Sequence, residues 1–185
     1  RGLGDVYKRQ DVFSLLDNLL KWTKSQIGNL NVVYQDVDAV EVVDSVIDVF
    51  NMVAGLKKIT IREEKPEKLP VCTDIDMLKT IIRNLLSNAI KFSNENSEVL
   101  VKMEEQGDTV VVSVKDSGCG IDEEGQQKLL HTDTHFSTFG TNNEEGSGLG
   151  LLLCRDFAVK IGGKLWFTSK EGEGSTFYFS IPLKK

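Results

Sequence analysis

Residues Leu78 to Phe92, LKTIIRNLLSNAIKF, constrain the fold more than any other stretch, because two rows of residues recur in them at helical spacing. At about 100° per residue, Leu78, Ile82, Leu85 and Ala89 share one face, while Asn84, Asn88 and Lys91 line up along its flank beside the edge marked by Ile81. The segment is therefore expected to be a helix that builds core with one face and offers two neutral amides and an ammonium with another. Amide oxygens are hard, uncharged ligands suited to Mg2+, and an ammonium one turn on suits phosphate oxygens. Asparagines four apart also occur on ordinary solvated flanks, so this row alone does not define a site.

With 185 residues, 40% of them hydrophobic, the chain can form one domain with a substantial core plus an appendage. A net charge of -6 and an isoelectric point near 5.0 argue against duplex nucleic acid or an anionic membrane as its partner. A phosphate ligand must then be held by local groups. Cys72, Cys119 and Cys154 are odd in number, far apart and without C-x-x-C spacing, which indicates neither a disulfide framework nor a zinc site and fits a reducing compartment. No apolar run approaches the roughly 20 residues of a membrane span, and no signal-peptide pattern opens the chain. The first residue is Arg1 rather than Met, and the chain is expected to be a piece of a longer protein.

Along the chain, residues 1–10 show no periodicity and are expected to be a leader or tail outside the fold. From Asp11 to Leu30, Val12, Leu15, Leu16, Leu19, Leu20, Trp22 and Ile27 form a helical stripe with Gly28 and Asn29 as a stop, and its strength calls for a partner. Val32–Tyr34 is expected to be a short strand. A helix should then follow Asp36 and Asp38, with Val40, Val43, Ile47 and Phe50 inward, and end at Gly55. Residues 57–63 alternate as a strand, Val71 and Cys72 form another, and Asp74 caps the asparagine-bearing helix. Glu98–Glu105 and Thr109–Lys115 flank a Gly107-Asp108 hairpin signal. Residues 125–146 are polar and irregular, as in a long mobile loop. Beyond them GSGLG opens a helix through Ile161, and Lys164–Ser169 with Ser175–Ile181 close the chain as a hairpin. Helices and strands mix without strict alternation, which predicts an α+β class: a two-layer sandwich of helices on a mixed, mostly antiparallel sheet.

Two further motifs bear on chemistry. Asp116-Ser-Gly-Cys-Gly-Ile121 places an acid at the end of a strand, followed by glycines two and four residues on. Such a carboxylate can accept from an exocyclic amine, and positions without Cβ let the backbone pass close to a flat ring; a surface turn is the plain alternative. Gly146-Ser-Gly-Leu-Gly-Leu151 feeds a helix whose free N–H groups attract anions. It is neither a dinucleotide fingerprint, lacking the leading strand, nor a P-loop, lacking Gly-Lys-Ser/Thr.

Taken in order, the asparagine helix, hairpin, acid-glycine turn, mobile loop, glycine-opened helix and closing hairpin resemble the ATP-binding domain of sensor histidine kinases. That domain belongs to the superfamily shared with gyrase, heat-shock chaperone ATPases and mismatch-repair ATPases. NLLSNAIKF looks like its Asn box, DSGCGI its first glycine box and GSGLGL its second. The resemblance spans roughly residues 31–183. It implies a Bergerat-type fold over 31–185 with ATP under a lid formed by residues 125–147. It also makes 11–30 the end of the second helix of a dimerisation and phosphoacceptor hairpin. The implied partners are ATP with Mg2+, that hairpin in the parent kinase and a response regulator receiver domain. The parent would be a homodimer and a membrane-bound bacterial sensor with this portion in the cytoplasm. No nucleic acid and no membrane contact by this portion are implied.

Carried over residue by residue, the resemblance makes Asn88 the Mg2+ ligand, Asn84 its neighbour at the phosphates, Lys91 a phosphate contact and Phe92 a packing residue beside the nucleotide. Asp116 would read the adenine amino group, with Gly118, Gly120 and Ile121 shaping that pocket. Gly146, Ser147, Gly148, Leu149 and Gly150 would cradle the phosphates, and Ser175 would reach the adenine side. The ATPases and anti-sigma kinases of the superfamily resemble each other in carrying Glu where Asn84 stands, and an amide cannot take a proton from water or serine. The site thus suits holding ATP for attack by a group elsewhere, as a protein histidine kinase (a transferase) does. A superfamily ATPase and a non-catalytic nucleotide-sensing scaffold are the alternative functions. Two departures stand out. His131 and His135, the only histidines, fall in the lid, with no acceptor histidine upstream; and residues 131–145 contain no Lys or Arg.

Overall fold

A computed structural model describes residues 2–28, 30–130 and 149–184. Its elements run α1 (Gly2–Gln26), β1 (Gln35–Asp38), α2 (Ala39–Leu56), β2 (Thr60–Glu64), β3 (Pro70–Thr73) and α3 (Ile75–Phe92). They continue with β4 (Glu98–Gln106), β5 (Thr109–Asp116), α4 (Glu123–Leu130), α5 (Leu149–Lys160), β6 (Lys164–Lys170) and β7 (Gly174–Pro182). The predicted α+β class is what forms. A five-stranded sheet in the order β2-β4-β5-β7-β6 carries α2, α3 and α5 on one face, with β2 parallel to β4 and the other pairs antiparallel. A separate two-stranded sheet joins β1 to β3.

The strand pattern explains the layering. In β4, Val99, Val101 and Met103 point into the core and alternate with half-exposed Leu100, Lys102 and Glu104. Val110, Val112 and Val114 of β5 and Phe179 and Ile181 of β7 are also buried in the core. The helices answer with Ile81, Ile82, Leu85, Leu86 and Ile90 of α3, Val43, Val46 and Ile47 of α2, and Leu153 and Phe157 of α5. Each such large side chain contributes about 2 kcal/mol when taken out of water. Carboxylates start two of the helices: Asp38 accepts from the Val40 N–H and Asp74 from the Met77 N–H.

Several boundaries differ from the sequence expectation. The first helix begins at Gly2, so residues 2–10, which show no periodicity in sequence and were expected to lie outside the fold, continue α1; adding a turn to an existing helix is far easier than starting one. The first short strand is Gln35–Asp38, not Val32–Tyr34, because its place is set by pairing with β3, where Gln35 faces Thr73 and Asp38 faces Pro70. The helix after Asp38 passes through Gly55 to Leu56. Residues 125–130, expected to open the long loop, instead belong to α4. Among the described residues, no helix is long and apolar enough to cross a membrane.

Candidate nucleotide site

Asp116 ends β5 and is only 4% exposed. Its Oδ1 accepts the Gly118 N–H at 3.0 Å and the Ser175 N–H at 3.3 Å. Burial outweighs both donors and pushes the carboxyl up to about 6. A dry carboxylate held only by neutral amides is unfavourable in an empty protein, yet ready for a ligand that brings its own N–H donors.

The glycines beside it are demanded by close approach. A Cβ on Gly118 would lie 1.9 Å from the Phe92 carbonyl oxygen, and one on Gly120, whose φ is +67°, would lie 2.1 Å from that of Lys170. The acid-bearing turn is thereby wedged between the end of α3 and the β6–β7 turn. Cys119 N–H donates to the Phe92 carbonyl at 3.4 Å, and Ile121 N–H to Ser169 Oγ at 2.8 Å. Ser169 Oγ is 2.7 Å from Ser175 Oγ, so Ser175 supports the turn from behind, through its amide to Asp116 and its hydroxyl to Ser169. The exposed Cys119 thiol is raised above its ordinary value by desolvation and by Asp116.

The other end of the site is the start of α5. Gly150 lies so close to α3 that a Cβ there would come 2.7 Å from Asn84 Oδ1. Asn84 donates from Nδ2 to the Thr80 carbonyl at 2.8 Å, and its Oδ1 accepts from Asn18 Nδ2 of α1 at 2.8 Å. Asn88 is half-buried one turn on, and Lys91 and Leu149 are buried. Lys57, buried at the end of α2, donates from Nζ to the carbonyls of Ile90 at 3.1 Å and Lys91 at 2.9 Å, which satisfies the last turn of α3. Gly146, Ser147 and Gly148, with His131 and His135, lie outside the described residues.

Thus α3 joins the two ends. Asn84 meets the glycine-opened helix and Phe92 meets the acid turn, eight residues or about 12 Å apart along the axis. That length suits a nucleotide laid along the helix, base at Asp116 and phosphates at the amides. Among the described residues no group of three or more His, Cys, Asp or Glu could hold a metal ion. A cation here would instead take a neutral amide and ligand phosphates, which is the donor set Mg2+ accepts.

Sequence reasoning missed Asn18, Lys57, Ser169 and Gly174 as parts of this site. Gly174, with φ +110°, would put a Cβ 2.1 Å from the Asp116 carbonyl oxygen, but its KEGEG setting reads only as a turn. Asn18 did carry a signal: with Lys21, Trp22 and Ser25 it forms a stripe at i, i+3, i+4 and i+7.

Fold and site together define an α+β nucleotide-binding domain of the helix-over-sheet kind. A profile of the family described as histidine kinase-, DNA gyrase B- and HSP90-like ATPases matches residues 73–185, and the chain belongs to that family. The adaptive-response sensory kinase SasA of Rippkaea orientalis is 31% identical over 171 residues, covering 91% of this chain and 43% of that protein. Sensor protein EvgS of Escherichia coli O157:H7 is 30% identical over 181 residues, covering 95% of this chain and 15% of that protein. The solved catalytic domain of the histidine kinase ThkA superposes with a TM-score of 0.71 at 31% identity, covering 82% of this chain and 96% of that one. The chain therefore spans less than half the length of these two curated relatives.

Proposed function

We propose that this chain is the ATP-binding catalytic portion of a two-component sensor histidine kinase. It holds Mg·ATP along α3 and presents the γ-phosphoryl group to a histidine on a helical hairpin of the parent protein, for onward transfer to a response regulator receiver domain. The observation that carries this reading is the pairing of a buried, amide-held Asp116 with the Asn84/Asn88 row at the two ends of one helix. Asp116 would accept the adenine amino group, Asn88 would hold Mg2+, and Asn84 and Lys91 would lie at the phosphates with Gly150. Bound Mg2+ supplies neutralisation of charge on the phosphate oxygens. Asn84 stands where hydrolysis would need a carboxylate base, which favours transfer over an ATPase. We place the domain on the cytoplasmic side of a membrane-bound, homodimeric sensor. The exposed Leu15, Leu16, Leu19 and Leu20 of α1 support helix pairing in the parent.

Calorimetric titration with ATP and GTP in the presence of Mg2+ tests the reading. ATP should bind at least about tenfold more tightly, because guanine turns a carbonyl oxygen toward Asp116 where adenine offers an N–H. Equal affinities, or no binding of either, would sink the assignment.

A further inference from the structure

The polar contacts of α1 begin at the phosphate end of the site, on Asn84, and run from there along α3 and α5. Asn18 and Asn84 exchange two hydrogen bonds, Asn18 Nδ2 to Asn84 Oδ1 at 2.8 Å and Asn84 Nδ2 to Asn18 Oδ1 at 3.3 Å. One turn on, Lys21 Nζ donates to Thr80 Oγ1 at 2.9 Å, and a further turn on, Ser25 Oγ donates to the Asp156 carboxylate of α5. Trp22, between them on the same stripe, is half-buried against the core. A single face of α1 is thus docked along α3 and α5, while Val12, Phe13, Leu15, Leu16, Leu19 and Leu20 face solvent.

The consequence lies in the valence of Asn84. An asparagine amide has two N–H donors. Here one goes to the Thr80 carbonyl and the other to Asn18, while Asn18 and Gly150 close on the oxygen. With α1 docked, Asn84 has no N–H left for a phosphate oxygen. We propose that docked α1 and the phosphate end of ATP compete for Asn84, so that helix docking and nucleotide binding oppose each other. This rests on the proposed nucleotide site. Linkage makes the effect reciprocal: whatever factor α1 docking takes from ATP affinity, ATP takes from docking. A parent protein that pulls α1 away would thereby prime the site, and one that presses it home would close it.

Trp22 and Trp166 are the only tryptophans, so Trp166→Phe leaves Trp22 as a single reporter of docking in the full chain. Trp166 lies on the sheet, stacked on Tyr178, away from the site. In that background, saturating Mg·ATP should shift Trp22 emission to the red with the same midpoint that calorimetry gives for binding. Adding Asn18→Ala should tighten Mg·ATP binding about threefold to tenfold, the worth of an amide pair, and shift Trp22 emission before any nucleotide is added. Lys21→Ala, which loosens α1 without touching Asn84, should move both readouts in the same direction. If calorimetry shows binding while Trp22 emission stays fixed, or if both substitutions leave ATP affinity unchanged or weaker, the competition is overturned and the nucleotide site stands. Absence of calorimetric binding overturns both.

Discussion

The Ser175 N–H donates across 3.3 Å to Asp116 Oδ1, joining residues 59 positions apart. The bond exists because β5 and β7 are antiparallel neighbours whose register pairs Lys115 with Thr176, which brings the end of one strand beside the start of the other. Together with the Gly118 amide it orients a carboxyl that the surrounding protein keeps dry.

Stability of the empty domain should therefore fall as pH rises through the range between the ordinary carboxyl value of 3.8 and about 6. The sign follows from proton binding: an acid whose folded pKa is raised binds its proton more tightly in the native state, so ionisation favours unfolding. The full penalty, about 2 to 3 kcal/mol, is present above pH 6. Asp116→Asn removes the charge while keeping an oxygen for both amides. It should raise the melting temperature at pH 7.5, with a gain that shrinks toward zero near pH 4, and it should lower ATP affinity by about 1.5 to 3 kcal/mol. Wild-type ATP affinity should also drop below about pH 6 as the acceptor is protonated. Melting curves from pH 4 to 8 for both proteins, with calorimetry, decide it; a variant less stable than wild type at every pH would show that the carboxylate is a structural anchor.

Gly118→Ala should be severe. Its Cβ would stand 1.9 Å from a backbone oxygen, so α3 or the acid turn must move. Overpacking against backbone costs about 1–3 kcal/mol or more, and the displaced turn carries Asp116, the proposed adenine acceptor. Urea denaturation should register the loss in midpoint, and ATP binding should vanish in any fraction that still folds. Wild-type affinity in this variant would show that the turn does not shape the pocket.

Much of this architecture is legible in sequence wherever local pattern and tertiary demand agree. The period of α3 and the alternation of β4 follow from burial on one side and the Asp74 cap from the free N–H groups at a helix start, while the apolar run of β5 marks a strand; together they put Asn84 on a helix flank and Asp116 at a strand end. What is not legible depends on pairing. Val32 and Val33 look like strand and draw the expectation for β1 three residues early, whereas the partner strand β3 selects the polar Gln35–Asp38. Lys57 is read in sequence as the start of a strand over 57–63, and becomes a buried cap only when the end of α2 meets the end of α3. Asn18 likewise gains its role only when α1 docks and its amide meets Asn84.

Asn88→Ala should weaken nucleotide binding chiefly when Mg2+ is present. Its side chain is half-buried on the α3 flank and its amide oxygen is the proposed metal ligand, so stability should change by less than about 1 kcal/mol. Titrations with Mg2+ and with EDTA separate the two roles. Equal losses under both conditions would make Asn88 a direct nucleotide contact or a structural residue.

Incubated alone with γ-labelled ATP and Mg2+, this chain should bind nucleotide yet acquire almost no acid-labile phosphate. Phosphoryl transfer requires a nucleophile in line with the γ-phosphate at near-attack distance, and positioning supplies much of the catalysis. The two histidines, His131 and His135, lie outside the described residues. Supplying a protein that carries a complete phosphoacceptor hairpin should bring labelling onto that partner, since Leu15, Leu16, Leu19 and Leu20 of α1 offer an exposed apolar stripe for a helix to pair with. Mapping the label by acid and base stability and by fragment mass gives the answer. Strong labelling of His131 or His135 in the chain alone would make the chain its own acceptor and remove the need for a hairpin.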